Sequence, residues 1–390
     1  MRTRRLVAVL GVLALLPAGC DRAPAEPAVG AEPLRPRWQP LTLPAPPGAP
    51  GRPLLRDAVA CAGTWYVVGG LADAAGETRP AAWRSTDGVS WTALPVSPSS
   101  HYGRQHVLYA AGCRDGRLAA LGAKNGGAHG NPRTGTWSQS PGGQLREAPA
   151  PFELYAGPRA VSVARLAAGP AGWLIAGARV DGAAVWTSSD GERFAIREGV
   201  AELAGDGRGR TVAYDAVAVP SGWWVVGAVL PPGTTALTPL AWSSADGRAW
   251  RRMALPVPDG RGQAQRVASV DGAVVAVGPV RDGFATWRLV GDEWRRAGGF
   301  GAPGPGVSTV DALVPAGREL VAVTGDGGGH GLWLSADAGD SWRLMDMPAP
   351  VSDGGNTAVA VASQGDRLVL VSDDGEASRA WSVGLPAIDR

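Results

Sequence analysis

Seven residues stand immediately ahead of seven short runs of small apolar residues: Asp57, His106, Arg159, Asp215, Arg266, Asp311 and Thr357. Ala58-Val59-Ala60 and Ala216-Val217-Ala218 are two of those runs. If the runs are strands around one axis, the seven side chains converge at one mouth. Three carboxylates, two guanidiniums and an imidazole there could hold a polar or anionic small molecule, or a sugar. Two of the acids could instead serve as proton donor and nucleophile in glycoside hydrolysis. Mixed charge permits a third outcome, in which the residues pair with one another and with strand-end backbone as a polar plug.

The tryptophans specify the elements that would gather them. Trp83, Trp137, Trp186, Trp242, Trp287, Trp333 and Trp381 recur about every 50 residues, each at the end of a short apolar run, which marks a repeat architecture. Each unit reads as a small-residue strand, a tight turn, a Val- or Ala-rich strand, a variable loop, the tryptophan strand, and a turn into a last strand. Trp65-Tyr66-Val67-Val68-Gly69 and Trp224-Val225-Val226-Gly227 are two of the second strands. Their near-continuous apolar character fits sheets covered on both faces. Four antiparallel strands make one propeller blade, so the predicted fold is an all-β, seven-bladed β-propeller.

The ends carry the closure. Six units supply a large apolar residue seven to nine positions after the blade tryptophan, namely Trp91, Leu145, Phe194, Trp250, Trp294 and Trp342, and the seventh runs out of chain. Trp38-Gln39-Pro40-Leu41-Thr42-Leu43-Pro44 resembles Trp91-Thr92-Ala93-Leu94-Pro95 and is predicted to complete the last blade. Closure removes the exposed sheet edge that an open stack would leave.

Between third and fourth strands a turn recurs at Ser85-Thr86-Asp87-Gly88, Ser188-Ser189-Asp190-Gly191 and Ser244-Ala245-Asp246-Gly247, with a longer copy at Ser335-Ala336-Asp337-Ala338-Gly339. Asp caps the turn's own N–H groups and Gly takes positive φ. Ser335 to Trp342 reads S-x-D-x-G-x-S-W, so the chain resembles the Asp-box (BNR-type) propellers, the superfamily that includes sialidases. That resemblance implies structural roles for Asp87, Asp190, Asp246 and Asp337. A sialidase would need an arginine triad, to which Arg159 and Arg266 could contribute, and a Glu–Tyr pair such as Glu153 with Tyr155. The Arg-Ile-Pro motif of sialidases is missing, and seven units stand where sialidases have six. Hydrolysis by the mouth acids is therefore the alternative reading, and non-enzymatic recognition or scaffolding through the loop face the first. Loops 70–80, 122–135, 230–240 and 324–331 are the variable segments on that face. His101, His129 and His330 read as solvated loop residues without the spacing of a metal site, and no cofactor or metal is expected.

Arg2, Arg4 and Arg5 precede an apolar stretch from Leu6 to Leu16, too short for a membrane span, which reads as an export signal over 1–19. Leu16-Pro17-Ala18-Gly19-Cys20 resembles the bacterial lipobox, which implies lipidation of Cys20, and Arg4-Arg5 also resembles a twin-arginine signal. Residues 20–37 are Pro- and Ala-rich, as a tether would be, leaving 38–388 for the propeller. The expected location is the outer face of the cytoplasmic membrane, with full secretion as the alternative. Cys61 and Cys113 fall at matching points of consecutive units and would form a disulfide there, or stay as two buried thiols. The composition, with 57 Gly and 33 Pro, 45% hydrophobic residues and net charge +2, suits a β-rich globule and offers no basic stripe for nucleic acid. Partners are expected to be a glycan, a small polar ligand or a cell-envelope protein, met by a monomer.

Overall fold

The structure, a computed structural model, describes residues 32–126 and 132–385. The export signal, Cys20, most of the tether and His129 lie outside the described residues. Seven sheets, each built on four antiparallel strands and one of them carrying a fifth, parallel strand at its outer edge, surround one axis, the first strand of every blade innermost. The innermost strands are Arg52–Cys61, Val107–Arg114, Ala160–Gly169, Arg210–Val219, Arg266–Val270, Thr309–Ala316 and Ala358–Gln364. Gln39–Leu41 pairs antiparallel with Ser378–Gly384, with Pro40 opposite Trp381, and supplies the outermost strand of blade 7. The chain is a seven-bladed β-propeller closed by its own N-terminal strand.

Seven apolar layers fill the seven spaces between consecutive blades. Trp83, Trp137, Trp186, Trp242 and Trp287 are among the largest fully buried side chains. Each withdraws about 150–250 Å² from water, a gross gain of about 4–6 kcal/mol before entropy is subtracted. Blades 7 and 1 share such a layer, in which Val369 and Val371 meet Leu55, Trp65 and Trp83. Arg52 and Arg56 of blade 1 also grip the fully buried carboxylate of Asp373 on blade 7. Burying that charge is tolerable because two guanidiniums neutralise it.

A register shift interrupts the innermost strand of blades 1, 2, 3, 4 and 6. Each is a β-bulge, which bends the strand and frees backbone groups from the ladder. Close approach of the innermost backbone explains the glycine within the second strands. A Cβ at Gly69 would lie 1.9 Å from the Leu54 carbonyl oxygen, and one at Gly227 the same 1.9 Å from that of Val212.

The recurring turns share one bonding pattern. Ser85 Oγ donates to Asp87 Oδ1 and accepts from the Gly88 N–H, while Asp87 Oδ1 accepts from Val89 and Ser90. Ser188/Asp190, Ser244/Asp246 and, one residue longer, Ser335/Asp337 repeat it. The N–H groups of Ser90 and Val89 hold Asp87 well below the usual carboxylate range. For Asp190 partial burial pulls upward, yet the Arg193 and Glu192 N–H groups outweigh it and bring the pKa to about 2. A depressed folded pKa contributes stability above the unfolded value near 4 that is lost as pH falls through the folded one. Denaturant midpoints should therefore drop between about pH 4 and pH 2, less steeply in Asp190→Asn; equal slopes would remove the turns from the account.

Two outer edges carry additions. Val96–Ser97 lies parallel to Leu145–Glu147 on blade 2. On blade 6, Leu34 bridges Met345 in parallel, its N–H donating to Leu344 and its carbonyl accepting from Asp346. Trp38 Nε1 donates to the Asp346 carbonyl at 2.8 Å. Residues 32–37, read from the sequence as tether, thus lie on the propeller, because Leu34 finds an apolar place beside Met345 and Val351.

Candidate functional site

Counting back from the first hairpin turn, rather than forward from the strand head, aligns the innermost strands. Asp57, Ala110, Arg165, Asp215, Arg266, Ala312 and Ala360 each stand four residues before the strand end. They face equivalent partners on the second strand, Val68, Leu121, Ala176, Val226, Val277, Val323 and Val371. Charges therefore come from blades 1, 3, 4 and 5, and alanines from blades 2, 6 and 7. The small alanines leave room for the long side chains to cross the axis.

Arg165 makes the crossing. Its Nη1 donates to Asp57 Oδ2 at 3.0 Å on blade 1, and its Nη2 to the Asp311 carbonyl at 2.6 Å on blade 6. Arg266 Nε donates to the same carbonyl at 3.0 Å. The bulge at Asp311 makes that carbonyl available to two guanidiniums, since it falls where the ladder register shifts. Asp57 Oδ2 also accepts from the Ala111 N–H at 2.8 Å, and Asp215 Oδ2 from the Val267 N–H at 3.1 Å. Gln265 Oε1 accepts from the Val310 N–H at 2.7 Å. Each of these three bonds ties one innermost strand to the next.

The electrostatics follow from burial. It pushes the Asp215 carboxyl up, against the pull of Arg266 and Arg165. It brings Arg266 down to about 10, helped by like-charged Arg165 and opposed by the surrounding aspartates. Burial also acts on Arg165, but Asp57, Asp215 and Asp311 more than offset it and raise its pKa. Removing one partner of such a network leaves the other desolvated and unpaired. Arg165→Ala should cost about 3 kcal/mol in urea unfolding. A loss below about 0.5 kcal/mol, typical of an exposed pair, would mean that the crossing is loose.

Of the residues singled out in the sequence, Asp57, Asp215, Arg266 and Asp311 meet in this network; His106, Arg159 and Thr357 lie elsewhere. His106 is buried in blade 2, where Nδ1 accepts from Trp137 Nε1 at 3.2 Å. Burial, outweighing the nearby Glu147, lowers its pKa to about 4, so it is a neutral acceptor. Arg159 is exposed and pairs with Asp181 and Glu198 at the edge of blade 3. Thr357 donates to the Gly354 carbonyl at 2.8 Å within its own turn. Arg165 is the member that forward counting missed; its position before the Gly169 turn was the available signal.

His330 departs from its reading as a solvated loop residue. Its side chain is 4% exposed, with Nε2 3.5 Å from Asp311 Oδ2 and 4.0 Å from Asp353 Oδ1. Glu153 is exposed, whereas Tyr155 is buried in the short helix Phe152–Tyr155, and burial raises its phenol pKa. That is the reverse of what an activated tyrosine nucleophile needs. Cys61 and Cys113 form a disulfide between the innermost strands of blades 1 and 2. Among the described residues, no group of His, Cys, Asp and Glu could hold a metal ion.

No protein-family model matches the chain, and no curated protein matches it. Solved structures similar to the chain at low identity include peptidases and sialidases. A puromycin hydrolase variant is 15% identical with a TM-score of 0.52, over 86% of this chain and 52% of that one. An extracellular domain attributed to a one-component system of B. thetaiotaomicron is 11% identical with a TM-score of 0.52, over 89% and 40%. A Hadza microbial sialidase is 12% identical with a TM-score of 0.45, over 87% and 66%. The chain thus spans about half the length of the first of these, and likeness at this level is one of fold.

Proposed function

We propose that this chain is a non-enzymatic recognition or scaffold propeller, exported and held at the outer face of the cytoplasmic membrane by lipid on Cys20. It meets a glycan, a small polar ligand or an envelope protein through its loop face. One observation carries the reading: the carboxylates of the channel mouth are already engaged. Asp57 is held by Arg165 and two N–H groups, Asp215 by the Val267 N–H beside two guanidiniums, and Asp311 stands against His330. A glycoside hydrolase needs one acid free to protonate and another free to attack. A mouth filled by its own ion network offers neither.

The Cys61–Cys113 disulfide supports export, since such bonds persist in oxidising compartments. The four Ser/Asp turns are of the Asp-box type and act in folding, away from the mouth. Chromogenic hexosides and a fluorogenic sialoside incubated with the purified chain should release no product above the buffer blank. Turnover abolished by Asp57→Asn or Asp215→Asn would replace this reading with the hydrolase. Cells fed an alkyne-tagged palmitate should label the wild-type chain and not Cys20→Ser; label in both would remove the anchor.

A further inference from the structure

In five blades the indole N–H of the repeated tryptophan donates to the connection that enters that blade. The acceptors are Pro44 O at 2.8 Å, His106 Nδ1 at 3.2 Å, Leu154 O at 2.8 Å, Glu202 O at 2.7 Å and Pro256 O at 2.7 Å. Among the described residues Trp381 of blade 7 makes no such bond, and blade 6 replaces it with another. Trp333 donates instead to Thr324 Oγ1 of its own blade at 3.0 Å and is only half-buried. The connection into blade 6, residues 301–308, is the shortest between successive blades, and five of its residues are Gly or Pro. Elsewhere a connection tucks Tyr155, Leu203 or Leu255 between blades, whereas here the bulkiest apolar residue, Val307, is 78% exposed.

The untucked connection leaves a cavity of about 700 Å³ between blades 5 and 6, within the range of small-ligand sites. Phe284 and Phe300 are buried beneath it, stacked with ring centroids 5.4 Å apart. Trp342 stacks on Phe300 at 4.6 Å and Trp333 tilts against it at 5.1 Å, both only partly buried. Asp326, Asp340 and Ser341 supply oxygens at the rim beside His330; Asp340 Oδ1 pairs with Arg288 Nη1 at 3.0 Å, and no Lys or Arg itself lines the cavity among the described residues. Asp326 accepts from the Gly329 and Gly328 N–H groups, which keep its pKa low and the carboxylate ionised.

We propose that this cleft binds a neutral saccharide, with the C–H face of a pyranose on the exposed indole surface of Trp333 and Trp342. Its hydroxyls donate to Asp326 and Asp340. Resting on the recognition reading above, the inference gives it a ligand class and a place. An anionic sugar would meet the Asp326 carboxylate, while the nearest guanidinium, that of Arg288, is already taken by Asp340. A purely apolar ligand would strip water from the remaining oxygens, Oδ2 of Asp326 and of Asp340, and offer them no donor. A neutral sugar satisfies both halves, apolar on one face and rich in donors at its edge.

The test is titration calorimetry and saturation-transfer NMR on the purified full chain. The probes are gluco-, manno- and galacto-tetraose, tetragalacturonate and an oligo-arginine peptide. At least one neutral tetraose should bind, and Trp342→Ala should weaken it by about tenfold or more. Because that variant also removes a packed ring, Ala302→Trp is the second: Ala302 is an exposed lining residue, so the indole should fill the cleft, block binding and leave Tm intact. No neutral binding at about 10 mM, or tighter binding of the uronate or the peptide, overturns the ligand class. Binding untouched by either substitution overturns the cleft and leaves recognition standing. Hydrolysis of a bound tetraose overturns the recognition reading itself.

Discussion

Deleting residues 36–45 is expected to lower the stability of the whole propeller by about 5 kcal/mol, and not merely to fray one edge. The segment carries the closing strand Gln39–Leu41, and Leu41 and Leu43 pack into the layer between blades 7 and 1. It also provides Pro44, whose carbonyl accepts the Trp83 indole N–H. Two half-buried leucines at about 1 kcal/mol each and three hydrogen bonds at ~1 kcal/mol each give the estimate. Loss of the strand also bares the edge of Ser378–Gly384, a template for pairing with other chains. Calorimetry should show a lower Tm with concentration-dependent aggregation. A truncated chain that melts as the wild type does would mean that blade 7 holds without its fourth strand.

Reduction of the disulfide, or Cys113→Ser, should cost about 4 kcal/mol, the chain-entropy value for a loop of this length. The bond joins blades 1 and 2 beside the point where Asp57 accepts from Ala111, so the innermost strands there are linked twice. Guanidinium unfolding with and without reductant measures the difference. Identical midpoints would show that neighbouring packing alone fixes these two strands.

The tryptophan period made the blade count legible, because an indole between sheets is a large apolar requirement repeated once per unit. The orphan strand at Trp38 made the closure legible, since a blade short of one strand must find it somewhere. The channel mouth was harder. Bulges insert one residue at different points of the innermost strands, so heads that align in sequence do not align in space; counting from the heads points to Arg159 where Arg165 stands. The hairpin turn is the fixed reference, because two residues joining paired strands leave the register no freedom. His106 preceded an apolar run like its counterparts, yet its partner is the Trp137 indole and not the channel, a choice made by tertiary packing. The cleft beside Trp333 was present in the chain only as a connection lacking large apolar residues, a deficit with meaning only beside its fuller counterparts.

Residues 32–35 lie on blade 6, while Gln39–Leu41 closes blade 7. Traction on the chain at Glu32 is therefore met first by a short parallel contact, the Leu34 bonds and the Arg35 pairs with Glu32 and Asp346. These are weak, surface-exposed and able to re-form, and Trp38 stands behind them as a second stop. The clasp of the ring feels a tug from outside only after that sacrificial stretch has peeled away, so intermittent mechanical strain is absorbed as slack before it can unlatch the circle.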